Sequence, residues 1–233
     1  MEWTFMGGFS GLSICFDLDG TLVDTAPDLV RVLNLVIAEE GLPPTDYDKA
    51  RGQVGFGAKA LIVQACERAG HTISDARVSE LWHVFIKLYD ENIAELSQPF
   101  SGVEHILRDL RSGGAKLSVC TNKPGYLARK LLDELKLTPY FDRVVGSSDG
   151  VATKPSAQHI FAATGHRRRS SIIMVGDSAP DVMAARAAGV PIVLFRYGYA
   201  GTPADRLRAD KVLRRFRELP ESILSLSRPI API

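Results

Sequence analysis

Three observations predict an α/β fold, a parallel sheet with helices on both faces and one long helical insertion. First, short apolar runs bounded by turn residues recur at Leu12–Phe16, Lys116–Cys120, Arg143–Gly146, Ser171–Val175 and Pro191–Phe195. Second, helical patterns separate the later runs, at Val103–Ser112, Tyr126–Lys136, Ala157–Thr164 and Pro180–Ala188. Strands alternating with helices make a parallel sheet covered on both sides. Right-handed crossovers then bring the C-terminal ends of the strands to one edge. Third, the whole stretch between Phe16 and Lys116 carries almost no strand signal and reads as helices over Thr25–Glu40, Ala58–Ala69 and Asp75–Leu96. A crossover needs only about a dozen residues, so this stretch is an inserted subdomain. The expected organisation is a Rossmann-like core of residues 1–23 and 97–233 with a helical cap of residues 24–96.

Taken in order, the first run delivers two carboxylates two residues apart, Asp17 and Asp19, followed by Gly20 and Thr21. Strands alternate faces, so both acids lean to one side where the strand ends. In open α/β sheets that carboxyl end is where ligands bind. Close acids there want a cation between them or a shared proton; the plain alternative is an Asp-Gly turn closing a strand. The first inserted helix has a good start, with Thr25 as N-cap, Pro27 in the first turn and Asp28 three residues on, and Gly41 follows its end. Pro99 and Gly102 mark the return to the core. The first several residues and Arg228–Pro232 read as loose ends.

Three further strand tips carry chemistry. Thr121 and Asn122, ahead of a helix opening at Pro124, can hold an anion, although Thr-Asn is also a common cap. Lys154-Pro155 precedes another helix, where a loop lysine is ordinarily just solvated. The fourth run ends in Gly176-Asp177-Ser178-Ala179-Pro180-Asp181. Asp177 and Asp181 can face one point, unless Asp181 only complements the helix N-terminus. Together, Asp17, Asp19 and Asp177 offer hard oxygen ligands for Mg²⁺, and Thr121, Asn122 and Lys154 face them with neutral donors and one cation. An acidic metal cage beside a small cationic pocket suits a phosphate group.

Composition excludes other classes. In 233 residues, 45% hydrophobic and 24% charged content is ordinary for a globular enzyme. A net charge of +1, with basic clusters only at Arg167-Arg168-Arg169 and Arg214-Arg215, gives no reason to expect nucleic acid. No apolar run is long enough for a membrane span. Cys15, Cys66 and Cys120 have no metal-like spacing, and the expected compartment is the cytoplasm.

The chain resembles the haloacid dehalogenase superfamily, specifically its phosphatases. Four motifs stand in order: Asp17–Asp24 (DLDGTLVD), Thr121 at a strand end, Lys154-Pro155, and Gly176–Asp181 (GDSAPD). Within the superfamily it looks most like the phosphoglycolate phosphatase group, through Thr21–Leu29, Arg51–Gly57, Thr121–Pro124 and Arg196–Tyr199. Around Lys154 it departs from the pattern, lacking an acidic residue and a second proline.

The resemblance implies a Mg²⁺-dependent phosphomonoester hydrolase acting on a small phosphorylated metabolite, as monomer or homodimer. Asp17 would be the nucleophile, forming an aspartyl-phosphate. Asp17, Asp177 and the backbone carbonyl of Asp19 would hold Mg²⁺. Lys154, Thr121 and the Asn122 backbone would bind the phosphoryl group. Asp19, near other negative charge, would protonate the leaving alcohol and then deprotonate the attacking water. Asp181 would orient the metal-bound water or Lys154, and Arg51 would contact a substrate carboxylate. Sugar phosphates, nucleotides and pyrophosphate stand as alternative substrates, and a sugar phosphomutase shares the core residues. Asp19 argues against a dehalogenase and against phosphonate cleavage through Lys59 or Lys87. A non-catalytic phosphate-binding regulator has no need of both Asp17 and Asp19.

Overall fold

The computed structural model describes residues 8–165, 168–199 and 204–227. The two expected loose ends and Arg167 lie outside these residues, except that the N-terminal residues from Gly8 onward are described. In chain order the sheet strands are β1 (Ser13–Phe16), β2 (Val23–Asp24), β3 (Gln98–Pro99), β4 (Lys116–Cys120), β5 (Arg143–Val145), β6 (Ile172–Gly176), β7 (Ile192–Phe195) and β8 (Lys211–Leu213). The helices are α1 (Ala26–Ala38), α2 (Tyr47–Arg51), α3 (Ala58–Arg68), α4 (Asp75–Glu91), α5 (Val103–Ser112), α6 (Gly125–Glu134), α7 (Ala157–Thr164), α8 (Ala179–Ala188) and α9 (Leu219–Ser227).

Six strands form one sheet in the order β5-β4-β1-β6-β7-β8, every pair parallel. Their alternation follows from the residues. Ile14, Phe16, Ile173, Val175, Val193 and Phe195 face one layer of the core. Cys15, Ile172, Met174, Ile192 and Leu194 face the other, under α7 and α8. Burial on both faces explains why these strands read as continuous apolar runs. From β1 the chain builds outward through β4 and β5, then returns to the opposite side of β1 for β6, β7 and β8. That reversal places a crevice at the carboxyl end of β1.

The helical insertion, α1 to α4, lies between β1 and β4. It leaves and re-enters through a two-residue antiparallel ribbon, Val23 opposite Pro99 and Asp24 opposite Gln98. This ribbon, β8, α2 and α9 are elements the sequence pattern does not announce. The first three are too short to show a period, and Lys211 opens β8 on a sheet edge. The start of α1 departs from the expected cap. The Thr25 hydroxyl makes no cap bond and donates instead to Asp19 Oδ1 at 2.7 Å. Asp28, fully buried, accepts from Leu96 N, Ser97 N and Ser97 Oγ at 2.7–2.9 Å. Long-range partners have overridden the local capping rule, and Asp28 now ties α1 to the returning chain. Correspondingly, α4 ends at Glu91 rather than Leu96, because Leu96 and Ser97 are drawn to that carboxylate.

Candidate active site

Four strand tips supply the site. Asp17 follows β1, and its backbone N–H bonds Val175 O at 2.8 Å, continuing the ladder one residue past the strand. The chain then turns tightly, with Leu18 O accepting from the N–H groups of Thr21, Leu22 and Val23. Gly20 is required here. Its φ is +84°, and an added Cβ would stand 2.6 Å from Asp177 Oδ2. The turn buries Thr21, whose hydroxyl donates to Asp177 Oδ1 at 3.0 Å.

Lys154 is buried between two acids, its Nζ 2.7 Å from Asp17 Oδ1 and 2.7 Å from Asp181 Oδ1. Burial alone would depress its ammonium, but Asp17 and Asp181 outweigh that and hold it well above its usual range. Burial pushes Asp17 up to about 7 despite Lys154, with Asp181 adding to the push. Asp177 is held well above the usual carboxylate range by burial, then by Asp181 and Asp17. The Asp17–Lys154 pair therefore keeps its proton on lysine, and one cation is left facing a surplus of buried negative charge.

Carboxylate oxygens of Asp17, Asp177 and Asp181 converge within 4.8 Å. Asp17 and Asp177 of the expected metal set are among them, and Asp181 stands with them; Asp19 was expected to contribute its backbone carbonyl rather than its carboxylate. The Asp19 carboxylate instead meets Lys123 Nζ at 3.1 Å and the Thr25 hydroxyl. Its nearest partners are a cation and a donor rather than further acids. Asp181 joins the cluster yet is saturated by protein: Oδ1 takes Lys154, and Oδ2 accepts from Asp177 N, Ser178 N and Ser178 Oγ at 2.8–3.2 Å. It positions Lys154 and the loop after β6. Hard, buried oxygens with excess negative charge fit Mg²⁺ or a similar divalent cation.

Thr121 lies buried at the tip of β4 with its Oγ accepting from Lys123 N at 3.1 Å. The Asn122 side chain grips the Lys154 backbone on both sides, donating to its carbonyl at 3.2 Å and accepting from its N–H at 3.1 Å. His159 Nδ1 accepts from that same N–H at 3.1 Å. Asp17, Asp19, Thr121, Asn122, Lys123 and Lys154 line one end of a cavity of about 240 Å³. Residues of the helical insertion also line it, among them Phe56, Lys59, Trp82 and Tyr89.

Arg51 does not line this cavity. Its guanidinium donates to Tyr197 O at 2.7 Å and Gly198 O at 3.2 Å and lies over the Tyr199 ring. The expected carboxylate contact is thereby replaced by a strap from α2 to the loop after β7. That loop matters in turn, because Tyr199 N donates to Asp177 Oδ2 at 2.6 Å and the Tyr199 hydroxyl donates to Asp24. Sequence reasoning missed Lys123, His159 and Tyr199 as site residues, and named Thr21 beside the acids without giving it a role. Lys123 and Tyr199 fall inside the stretches that carry the family resemblance, which was their only signal.

Comparisons with known proteins give the following. A family model described as haloacid dehalogenase-like hydrolase matches residues 14–195. A phosphoglycolate phosphatase of Caulobacter vibrioides is 44% identical over 219 residues, covering 93% of this chain and 92% of that one. One from Agrobacterium fabrum is 41% identical over 208 residues, 88% of each chain. A crystal structure described as a predicted phosphoglycolate phosphatase from Haemophilus somnus superposes with a TM-score of 0.83 at 27% identity, covering 92% of this chain and 98% of that one.

Proposed function

The chain belongs to the haloacid dehalogenase-like hydrolases and is a phosphatase, and from that premise we propose that it hydrolyses 2-phosphoglycolate through an aspartyl-phosphate on Asp17. The observation that carries this reading is the buried meeting of Asp17, Lys154 and Asp177 at the strand tips, opening on one cavity. Asp17 and Asp177 would hold Mg²⁺, which when bound offsets the repulsion between a carboxylate and a phosphate dianion.

In the first step an Asp17 oxygen bonds to phosphorus, and the bond from phosphorus to the ester oxygen breaks. Asp19 gives a proton to the leaving alcohol. In the second, water attacks phosphorus, Asp19 takes its proton, and Asp17 is released with inorganic phosphate. Lys154 neutralises charge on Asp17 and the transferring group, while Thr121 and the Asn122 backbone supply donors. Three buried thiols without disulfides, Cys15, Cys66 and Cys120, support a cytoplasmic setting. Among the described residues no helix is long and apolar enough to cross a membrane.

The test is phosphate release from a panel of small esters, with Mg²⁺ and with EDTA, alongside Asp17→Asn. The expected result is metal-dependent release strongest on 2-phosphoglycolate and reduced about 10⁴-fold or more in the variant. Stronger release from a sugar phosphate or nucleotide would reassign the substrate. Dependence on a bisphosphate activator without net phosphate release would make the enzyme a mutase.

A further inference from the structure

The cavity has three lysines, and they are not equivalent. Lys154 is committed to Asp17 and Asp181. Lys123 is committed to Asp19 and sits 4.5 Å from the centre of the Tyr89 ring. Lys59, contributed by the cap, has no carboxylate within ion-pair distance among the described residues. Lys59 is exposed, with its Nζ 5.2 Å from the centre of the Trp82 ring.

The backbone around Lys59 has the same polarity. It is the second residue of α3, whose N-cap is Gly57 at φ +90°, with no side-chain cap and no acid in the first turn. Gly57, Ala58 and Lys59 all line the cavity. A helix start left with its N–H groups uncapped attracts negative charge, and Lys59 adds a full charge beside it. The remaining cap lining is largely apolar, including Phe56, Phe85 and Ile86. Such a wall offers little to the many hydroxyls of a sugar, yet it presents one cation.

We infer that Lys59 and the start of α3 bind a second anionic group of the substrate, a carboxylate close to the phosphate, and so set the enzyme's selectivity. This rests on the phosphatase reading above and moves the carboxylate contact from Arg51 to Lys59. Phosphate is held at the core end by Lys154 and Thr121, and the carboxylate at the cap end by Lys59. A small ester bearing both groups spans the cavity, whereas one lacking the carboxylate leaves Lys59 unused.

The test compares kcat/KM for 2-phosphoglycolate and for ethyl phosphate, which lacks the carboxylate, in wild type, Lys59→Met and Lys59→Arg. Thermal unfolding checks that each variant is folded. A charge-assisted hydrogen bond of the usual strength predicts that Lys59→Met loses about 10- to 100-fold on phosphoglycolate. Ethyl phosphate should change less than about twofold, and Lys59→Arg should recover much of the loss. Equal losses on both esters, or none on phosphoglycolate, would overturn the inference while leaving the phosphatase reading intact. A wild-type enzyme with no preference for phosphoglycolate over ethyl phosphate would overturn the substrate reading, and the inference with it.

Discussion

The two ends of the cavity are built on opposite rules. At the core end nearly every polar group is already bonded to protein: Lys154 to two acids, Asp181 to four donors, Asp177 to Thr21 and Tyr199. At the cap end the wall is largely apolar, and its cation, Lys59, has no carboxylate within ion-pair distance among the described residues. Saturation fixes geometry, which phosphoryl transfer needs in every turnover. Unsatisfied groups are recognition elements, because a ligand gains by completing them. On the proposed mechanism, chemistry is preset by the sheet and selectivity is left to the insertion.

The sharpest way to break this contrast is to unbalance the core end. Lys154→Met leaves Asp17, Asp177 and Asp181 buried without a cation, and should cost about 3–5 kcal/mol of stability at neutral pH. For a chain of this size that is a Tm fall of roughly 10 °C, readable by calorimetry, and added Mg²⁺ should recover part of it. An equal cost from Lys59→Met would erase the distinction between the ends.

A smaller effect concerns protons and metal. Asp17 is raised from 3.8 to about 7, chiefly by burial, so the folded chain holds a proton that the unfolded chain releases. Its contribution to stability is full below the unfolded value and is lost as pH rises toward about 7. Mg²⁺ replaces that missing positive charge. The Mg²⁺-induced rise in Tm should accordingly be larger at about pH 8 than at about pH 5. A rise independent of pH would separate the metal from these acids.

The smallest effect separates Arg51 from Lys59. Arg51→Met should lose the two carbonyl bonds across to Tyr197 and Gly198, lowering Tm by a few degrees, on the order of 1–2 kcal/mol. The preference for phosphoglycolate over ethyl phosphate should persist. If that preference vanished, Arg51 would be the recognition residue after all.

These positions also show what a sequence can and cannot disclose. Asp17, Thr121 and Asp177 were legible because each ends an apolar run before a turn, and parallel topology sends such ends to one edge; Lys154, in the loop before α7, was singled out by the Lys-Pro pair and the family resemblance. The five core strands were legible for the same reason, as short continuous apolar runs such as Ile14 to Phe16 and Ile172 to Val175. Arg51 was not. A helix-end arginine looks alike whether it is solvated, faces a ligand or reaches a carbonyl 146 residues away. The same holds for Thr25 and Asp28, whose spacing satisfies a local capping rule that Asp19 and Ser97 override. The partner of Asp19 was hidden too, because Lys123 carries no local pattern of its own. Local rules reported which residues stand at strand ends; only the packing of insertion against sheet reported their partners.

In the proposed reaction Asp17 carries the phosphoryl group. Wild-type enzyme mixed with Mg²⁺ and 2-phosphoglycolate and quenched rapidly in acid during turnover should carry the adduct, because Asp19 serves both its formation and its hydrolysis and must stay intact. Peptide mass spectrometry is predicted to find a phosphoryl group on Asp17, absent from a parallel Asp17→Asn sample. Phosphate release with no adduct on Asp17, or an adduct on another residue, would contradict the account.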